Sequence, residues 1–348
     1  MKSLLKGVAH WSQIFSFLLF SFCLPSFGFS GEVSRQKLVY PIRALHIDLH
    51  GITVKKALSL VEMAHDKGFN AVILLIGYND NGVKLNSYPV VTMKRWSRDS
   101  LFLLASRAKK LGLVVIPGVP LLTHQEILFR GSHPEMMFNR ETYDPRNKQV
   151  YKIVFGILDE VIELLNPPAI HIGHDEVLKK ISVRHRPKWM KAEIVETMLP
   201  ADLFLQDVVS IHNYLKQRGL ETLMWGDMLL SSDEFPMVKK YDACNGDDPG
   251  YGKELRRKIP KDIIINDWHY SRYSEYPSID VFKAEGFRVL GATFDNRAGI
   301  RNFSAYAKKH GADGMIATTW FYVQRKQWDV VDGIISYSGE RFREDFGD

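Results

Sequence analysis

The sequence predicts an α/β protein with the (β/α)₈ TIM-barrel fold, built as a single domain. Eight short apolar runs rich in β-branched residues alternate along the chain with amphipathic stretches. No glycine-rich fingerprint follows the first run, which argues against a doubly wound sheet. Polar and aromatic residues recur just after the runs, at the end of a barrel where active sites lie.

The eight runs are the predicted strands. They cover residues 42–49, 71–76, 113–117, 169–172, 222–225, 262–268, 288–293 and 314–319. Apolar residues at helical spacing predict helices between them, over residues 54–67, 98–111, 151–165, 201–218 and 303–310. Glycines such as Gly68 and Gly112 follow several of these stretches, as expected where helices end.

Residues 1–30 differ from the rest of the chain. Lys2 and Lys6 precede an apolar run at 14–22, and Pro25 and small residues follow it, which is typical of a secretory signal peptide. The run is short for a membrane span, although an uncleaved N-terminal anchor stays open. We therefore expect an exported protein, periplasmic or secreted, whose signal is removed near Ser30 and whose barrel occupies residues 31–348.

The cysteine content and the charge distribution exclude two further features, a disulfide framework and a nucleic-acid-binding surface. Cys23 lies within the predicted signal, so Cys244 alone remains afterwards and no internal disulfide is expected. The formal net charge is +6, and the basic clusters are scattered at predicted helix ends, where cations favour the helix dipole. This distribution indicates solvated surfaces rather than a nucleic-acid track.

The most informative motif follows the fourth predicted strand, where Asp175 and Glu176 stand side by side after residues 169–174. Asn166-Pro167-Pro168 ends the preceding helix, so this pair falls where a strand opens into a loop. Two carboxylates can divide the work of breaking a glycosidic bond. The alternative is that they only cap the next helix, because acidic residues favour helix N-termini.

All eight predicted strand ends carry polar or aromatic side chains. In order these are Asp48 and His50; Tyr78, Asn79 and Asp80; His124; Asp175 and Glu176; Trp225 and Asp227; Asp267, Trp268 and His269; Asp295; Trp320 and Tyr322. Such recurrence is hard to assign to packing alone, so we expect these residues to meet around one pocket.

In these strand-end residues the chain resembles glycoside hydrolase family 20, the β-N-acetylhexosaminidases. Residues 171–176 (His-Ile-Gly-His-Asp-Glu) resemble the family's His-x-Gly-Gly-Asp-Glu at the fourth strand. Residues 43–48 resemble its Arg-Gly-x-x-x-Asp, His124 falls near its third-strand histidine, and tryptophans stand at strand ends where the family walls its sugar pocket. The resemblance spans roughly residues 40–325.

The resemblance implies substrate-assisted retaining hydrolysis of terminal β-linked N-acetylhexosamines, without a metal or other cofactor. Glu176 would be the general acid and base, and Asp175 would orient the 2-acetamido group. The partner would be an amino-sugar glycan or oligosaccharide. The implied substrate-binding residues are Arg43, Asp48, His124, His174, Trp225, Trp268, Asp295, Trp320 and Tyr322.

Three departures from the family pattern concern sugar recognition. His174 replaces a glycine beside the catalytic pair, where it could reshape the pocket or tune Glu176. Thr293 stands where the family has the tyrosine that contacts the acetamido group, unless Tyr270 or Tyr78 replaces it. Tyr322 stands where the family has a glutamate that binds outer hydroxyls.

Two other functions remain open at this level. His46, Asp48 and His50 alternate on one face of the first strand and could ligate a metal, as in a metal-dependent amidohydrolase. The lost tyrosine and glutamate favour a carbohydrate-binding barrel without turnover. Neither alternative is decided by the fold class.

Overall fold

The structure is a computed structural model that describes residues 35–77, 85, 96–125, 129, 133–177, 180–181, 194–195 and 197–347. The predicted signal at 1–30 and the strand-end residues Tyr78, Asn79 and Asp80 lie outside the described residues, so both remain predictions. The chain from Arg35 onward forms one compact unit. Within the described segments, no helix has the length and apolar character needed to cross a membrane.

Eight parallel strands close into a barrel, which confirms the predicted fold. They are β1 (Ile42–Asp48), β2 (Ala71–Leu75), β3 (Val114–Leu121), β4 (Ala169–Gly173), β5 (Glu221–Trp225), β6 (Ile264–Trp268), β7 (Arg288–Thr293) and β8 (Gly314–Thr318). Each strand pairs with the next, and β8 pairs with β1 to complete the ring. A two-residue antiparallel ribbon, Lys180–Ile181 with Ile194–Val195, follows β4.

Helices connect the strands. They are α1 (Val54–Asp66), α2 (Arg98–Lys110), α3 (Lys148–Leu165), α4 (Ala201–Lys216), α5 (Lys253–Lys258), α6 (Pro277–Ala284), α7 (Arg297–Lys309), α8 (Trp320–Gln324) and α9 (Trp328–Phe346). Five correspond to predicted helices. α5, α6 and α8 are too short to show a clear apolar period, and α9 carries Gly333 and Gly339, which weaken its helical signal.

Side-chain caps explain where several helices begin. Thr53, Ser97, Asn147 and Asn296 each accept a hydrogen bond from a backbone N–H in the first turn of α1, α2, α3 and α7. These contacts satisfy amides that would otherwise lack a partner at the helix start. The four capping side chains therefore fix the residue at which each of these helices begins.

The barrel interior changes in character along its axis. On β1, Ile42 and Ala44 belong to the apolar cluster that fills the barrel. His46, further along the same face, packs against Trp225 and Trp320, with ring centroids 6.2 and 4.6 Å away. Polar and aromatic groups thus concentrate at the carboxyl ends of the strands, which is where a barrel places its chemistry.

We predict that Gly314→Ala weakens barrel closure. Gly314 starts β8, has φ +148°, and pairs with Ile42 so closely that an added Cβ would collide with the Ile42 carbonyl oxygen. The free energy of unfolding should fall by about 4 kcal/mol or more, as expected for a forced backbone shift. Urea unfolding measures the change.

Gly286→Ala is the matched control, because Gly286 has φ +86° but open space around its Cβ position. It should cost only the backbone strain of about 1 kcal/mol. Equal losses in the two variants would show that the close approach at Gly314 is unimportant.

Candidate active site

Asp175 and Glu176 lie on a tight turn, residues 173–176, directly after β4. We call this segment the acidic turn. Gly173, His174 and Glu176 all have positive φ, at +76°, +69° and +52°. A side chain in the left-handed region costs roughly 1 kcal/mol or more, so contacts from other elements must stabilise the turn.

Side chains from the loops that follow the two neighbouring strands, β3 and β5, supply those contacts. Thr123, after β3, donates a hydrogen bond from Oγ1 to the Asp175 carbonyl oxygen at 2.7 Å. Asp227, after β5, accepts one from the Glu176 backbone N–H at 2.9 Å. The acidic turn is therefore bonded to the loops that follow the neighbouring strands.

His124 faces both carboxylates. Its Nε2 lies 3.3 Å from Asp175 Oδ2 and 3.7 Å from Glu176 Oε2. Burial would raise the pKa of Asp175, but the charge and hydrogen bond of His124 outweigh it and hold the pKa below its usual value. Asp175 is thus an ionised carboxylate, and its Oδ1 has no hydrogen-bond partner among the described residues.

The same three side chains could also hold a cation. One ligand atom each from His124, Asp175 and Glu176 can be chosen so that all lie within 4.8 Å of one another. The metal set considered from the sequence is not assembled. His46 packs inside the barrel, and Asp48 accepts hydrogen bonds from the His50 backbone N–H at 2.8 Å and from Gln324 Nε2 at 2.5 Å.

Aromatic residues form one side of the site. Trp320 Nε1 donates a hydrogen bond to the Tyr270 hydroxyl at 2.7 Å, and the Tyr270 ring stacks on Trp268 at 4.9 Å. Burial raises the pKa of Tyr270 well above its usual value, and the negative charges of Asp175 and Glu176 add to the shift. Tyr270 is therefore a neutral phenol beside the two carboxylates.

A buried network holds the loop that carries Tyr270. Asp242 Oδ2 accepts the Tyr270 backbone N–H at 3.0 Å, while its Oδ1 lies 2.8 Å from His269 Nδ1. His269 Nε2 lies 3.1 Å from Asp267 Oδ1. Burial alone would lower the pKa of His269, but the two aspartates raise it to about 9. His269 is thus a buried cation that stabilises this loop.

Trp225 forms the floor of the site and is not an exposed sugar platform, which corrects its predicted place on the pocket wall. It is 2% exposed and packs against His171 at 4.5 Å and Trp320 at 5.7 Å. Trp225 is the last residue of β5, and its side chain packs in the cluster that fills the barrel, which explains this burial. Beneath the site, burial lowers the pKa of His46 to about 4 and of His171 to about 3, so both rings are neutral.

His174 does not face the pocket, which corrects the expectation that it would reshape the site or bind substrate. Its ring is fully buried, with Nδ1 3.0 Å from the Ile172 carbonyl oxygen and Nε2 2.9 Å from Asp207 Oδ2 on α4. Tyr143 and Tyr151 also donate hydrogen bonds to Asp207, at 2.8 and 2.7 Å. Both His174 nitrogens therefore lie within hydrogen-bond distance of an oxygen atom.

Two further residues that were predicted to bind substrate have their polar groups engaged within the protein. Arg43 is the second residue of β1, at the opposite end of the barrel, and donates hydrogen bonds to the carbonyl oxygens of Gly68 and Gly347. Asp48 has both carboxylate oxygens engaged and joins β1 to α8, and burial raises its pKa to about 6. The motif located the first strand, but it did not show which way each side chain points.

The remaining predicted residues do gather at the carboxyl ends of the strands. Trp268 and Trp320 are partly exposed beside Tyr270, and at the rim the Tyr322 hydroxyl donates a hydrogen bond to Asp295 Oδ2 at 2.5 Å. Their contacts with a sugar stay a prediction.

Sequence reasoning missed the residues that support the acidic turn, chiefly Thr123 and Asp207. Asp207 had a usable signal. It stands among Phe204, Val208 and Ile211 on the apolar face of α4, and a carboxylate there implies a buried partner. Thr123 had no comparable signal, because a hydroxyl in a loop is common.

Comparison with known proteins agrees with this geometry. The family model described as "Glycosyl hydrolase family 20, catalytic domain" matches residues 124–295, from His124 to Asp295. The resemblance to family 20 is confirmed. The matched segment contains the acidic turn, Trp225 and Trp268. No curated protein sequence matches the chain.

Solved family 20 structures share the fold at low sequence identity. The β-N-acetylhexosaminidase of Bacteroides fragilis has a TM-score of 0.62 and 14% identity, over 87% of this chain and 66% of that one. The chitobiase of Flavobacterium johnsoniae gives 0.62 and 15%, over 86% and 48%. The exo-β-N-acetylglucosaminidase of Vibrio harveyi, solved with N-acetylglucosamine, gives 0.61 and 14%, over 87% and 54%. This chain thus spans about half to two thirds of their lengths.

We predict that His174→Gly, which restores the family 20 glycine, destabilises this protein. It relieves the left-handed strain but leaves the Asp207 carboxylate buried without its ring partner, so the free energy of unfolding should fall by about 3 kcal/mol. Asp207→Asn should cost a similar amount. The double variant should lose clearly less than the sum, because the pair acts as a unit.

Denaturant unfolding of the two single variants and the double variant measures this coupling. Asp159→Asn, which removes an exposed acid, is the control and should change stability little. Additive losses in the cycle would contradict the pairing of His174 with Asp207.

Proposed function

We propose that this protein is an exported glycoside hydrolase that removes terminal β-linked N-acetylhexosamine residues from amino-sugar glycans or oligosaccharides. The observation that carries this proposal is the Asp175–Glu176 pair at the carboxyl end of β4, facing His124 within a segment that matches the family 20 catalytic domain. Export rests on the signal pattern in residues 1–30. The names of the similar structures support an amino-sugar substrate.

The proposed reaction uses the substrate's own 2-acetamido group as the nucleophile. Its carbonyl oxygen forms a bond to the anomeric carbon while the glycosidic C–O bond breaks, and Glu176 donates a proton to the leaving oxygen. Water then attacks the anomeric carbon of the oxazolinium intermediate and transfers a proton to Glu176. Two inversions give net retention of configuration.

Asp175 suits the supporting role in this scheme. It is held ionised by His124, and its Oδ1 is available to accept a hydrogen bond from the acetamido N–H. A negative charge at this point stabilises the positive charge that develops on the oxazolinium ring. Because Asp175 and Glu176 are adjacent and both face His124, the two groups act on the same sugar.

Tyr270 is the residue that replaces the family's acetamido-binding tyrosine. Thr293 cannot do so, because it is buried and donates its hydroxyl to the Ile316 carbonyl oxygen at 3.4 Å. The Tyr270 hydroxyl lies against Trp320 beside the carboxylates, and its hydrogen can be donated to the acetamido oxygen. A different strand end thus supplies the same chemical group.

We predict that the mature protein hydrolyses nitrophenyl glycosides only when they carry a 2-acetamido group. Glu176→Gln should lower kcat/KM about 10² to 10⁴-fold, because the proton donor is lost. Asp175→Asn should lower it about 10² to 10³-fold, because the developing charge is less stabilised. Nitrophenol release measures both effects, and Glu163→Gln on the exposed face of α3 is the control.

The same assay separates the alternatives. Binding of N-acetylglucosamine without any nitrophenol release would indicate a carbohydrate-binding barrel. Hydrolysis that is lost with a chelator and restored by a divalent ion would indicate that His124, Asp175 and Glu176 hold a metal.

We predict that Tyr270→Phe raises KM and lowers kcat for 2-acetamido substrates, together about 10 to 100-fold in kcat/KM, because one contact to the reacting group is removed. Tyr273→Phe is the control. Its hydroxyl belongs to the same loop but donates to the Lys240 carbonyl oxygen. Equal effects of the two substitutions would indicate a loop defect instead of a substrate contact.

A further inference from the structure

Asp227 is a buried carboxyl group that the proposed reaction does not use. It begins a short 3₁₀ turn after β5 and is 1% exposed. Its Oδ2 accepts two hydrogen bonds, from the Glu176 backbone N–H at 2.9 Å and from Asn245 Nδ2 at 2.7 Å. The Asp227 carbonyl oxygen also accepts the Asn245 backbone N–H at 2.9 Å. Asp227 thus fixes Glu176 to the loop at Asn245.

The other carboxylate oxygen has a different environment. Asp227 Oδ1 is buried and has no hydrogen-bond partner among the described residues. An ionised carboxylate in that position is costly, because burial separates its charge from bulk solvent and no donor among the described residues compensates it. The neutral acid avoids most of this cost.

Neighbouring charges act in the same direction. Asp227 faces Asp175 and Glu176 of the acidic turn, and His124 lies on their side of the site, paired with Asp175. Burial first, and then the negative charge of Asp175, raise the pKa of Asp227 to about 7. His124 lowers the pKa of Asp175. Of these two aspartates, Asp227 therefore holds the proton.

We propose that Asp227 is a positioning residue that holds Glu176 through its backbone as a neutral carboxylic acid, and that loss of its proton sets the alkaline limit of activity. The statement about activity rests on the proposed function; the statement about the proton does not. An ionised Asp227 would place a further buried negative charge beside Asp175 and Glu176. Because the acidic turn is already strained, this repulsion displaces the turn.

Two substitutions separate the proton from the hydrogen bond. Asp227→Asn keeps an acceptor oxygen for the Glu176 N–H and cannot ionise, so it mimics the neutral acid. Asp227→Ala removes the acceptor and leaves that N–H without its partner. Asp280→Asn, a partly exposed acid on α6, is the matched control for removing a charge.

The first measurement is the unfolding midpoint against pH, which needs no catalytic activity. The folded-state pKa of Asp227 lies above its unfolded value of 3.8, so its stabilising contribution is complete below pH 3.8 and is lost as pH rises through about 7. The unfolding midpoint of Asp227→Asn should therefore rise relative to that of the wild type between pH 4 and 8, by several degrees. Asp227→Ala should be less stable than Asp227→Asn throughout, and Asp280→Asn should show no gain of this kind. A constant difference between wild type and Asp227→Asn across this range would overturn the proposal.

The second measurement is kcat/KM against pH on a 2-acetamido nitrophenyl glycoside. The wild type should lose activity with an apparent pKa near 7. Asp227→Asn should retain activity to higher pH, whereas Asp227→Ala should lose about 10 to 100-fold, mainly in kcat. Coincident wild-type and Asp227→Asn profiles, or equal losses in both variants, would overturn the role in activity. If no variant is active, the proposed function fails, and the unfolding measurement still decides where the proton resides.

Discussion

The site depends on one strained piece of backbone, the acidic turn after β4. Left-handed residues on both sides of Asp175 bring its carboxylate and that of Glu176 to a single point facing His124. Such a turn is stable only when surrounding contacts over-determine it. Here Thr123 and Asp227 bond the backbone of the turn, and Asp207 binds the ring of His174, so the barrel holds the two carboxylates more rigidly than the turn itself could.

Buried charges around the site are paired with opposite charges. Asp175 is matched by His124, and the aspartates around His269 stabilise a buried cation behind the Tyr270 loop. Removing one member of such a pair is far more damaging than never having had it. Asp227 differs from the others in forming no ion pair among the described residues, where the donors to its carboxylate are a backbone N–H and an amide, and a proton takes the place of the cation.

The fold was predictable because barrel strands are buried on both faces and read as continuous apolar runs. The position of the Asp175–Glu176 pair was predictable because its motif lies at a strand end. The direction of the side chains was not predictable. His174 and Arg43 both occupy motif positions, yet His174 binds a residue of α4 and Arg43 forms its contacts at the opposite end of the barrel. Contacts such as that of Thr123 are set by tertiary packing between distant segments, which no local pattern records.

The floor of the barrel bears on where such a protein can work. His46 and His171 lie beneath the site as neutral rings, packed around Trp225 without access to water. Their folded pKa values of about 4 and 3 lie below the ordinary value of 6.5, so the stability that comes from keeping them neutral is present above 6.5 and declines as pH falls. A barrel with this floor suits neutral surroundings and is poorly matched to an acidified compartment.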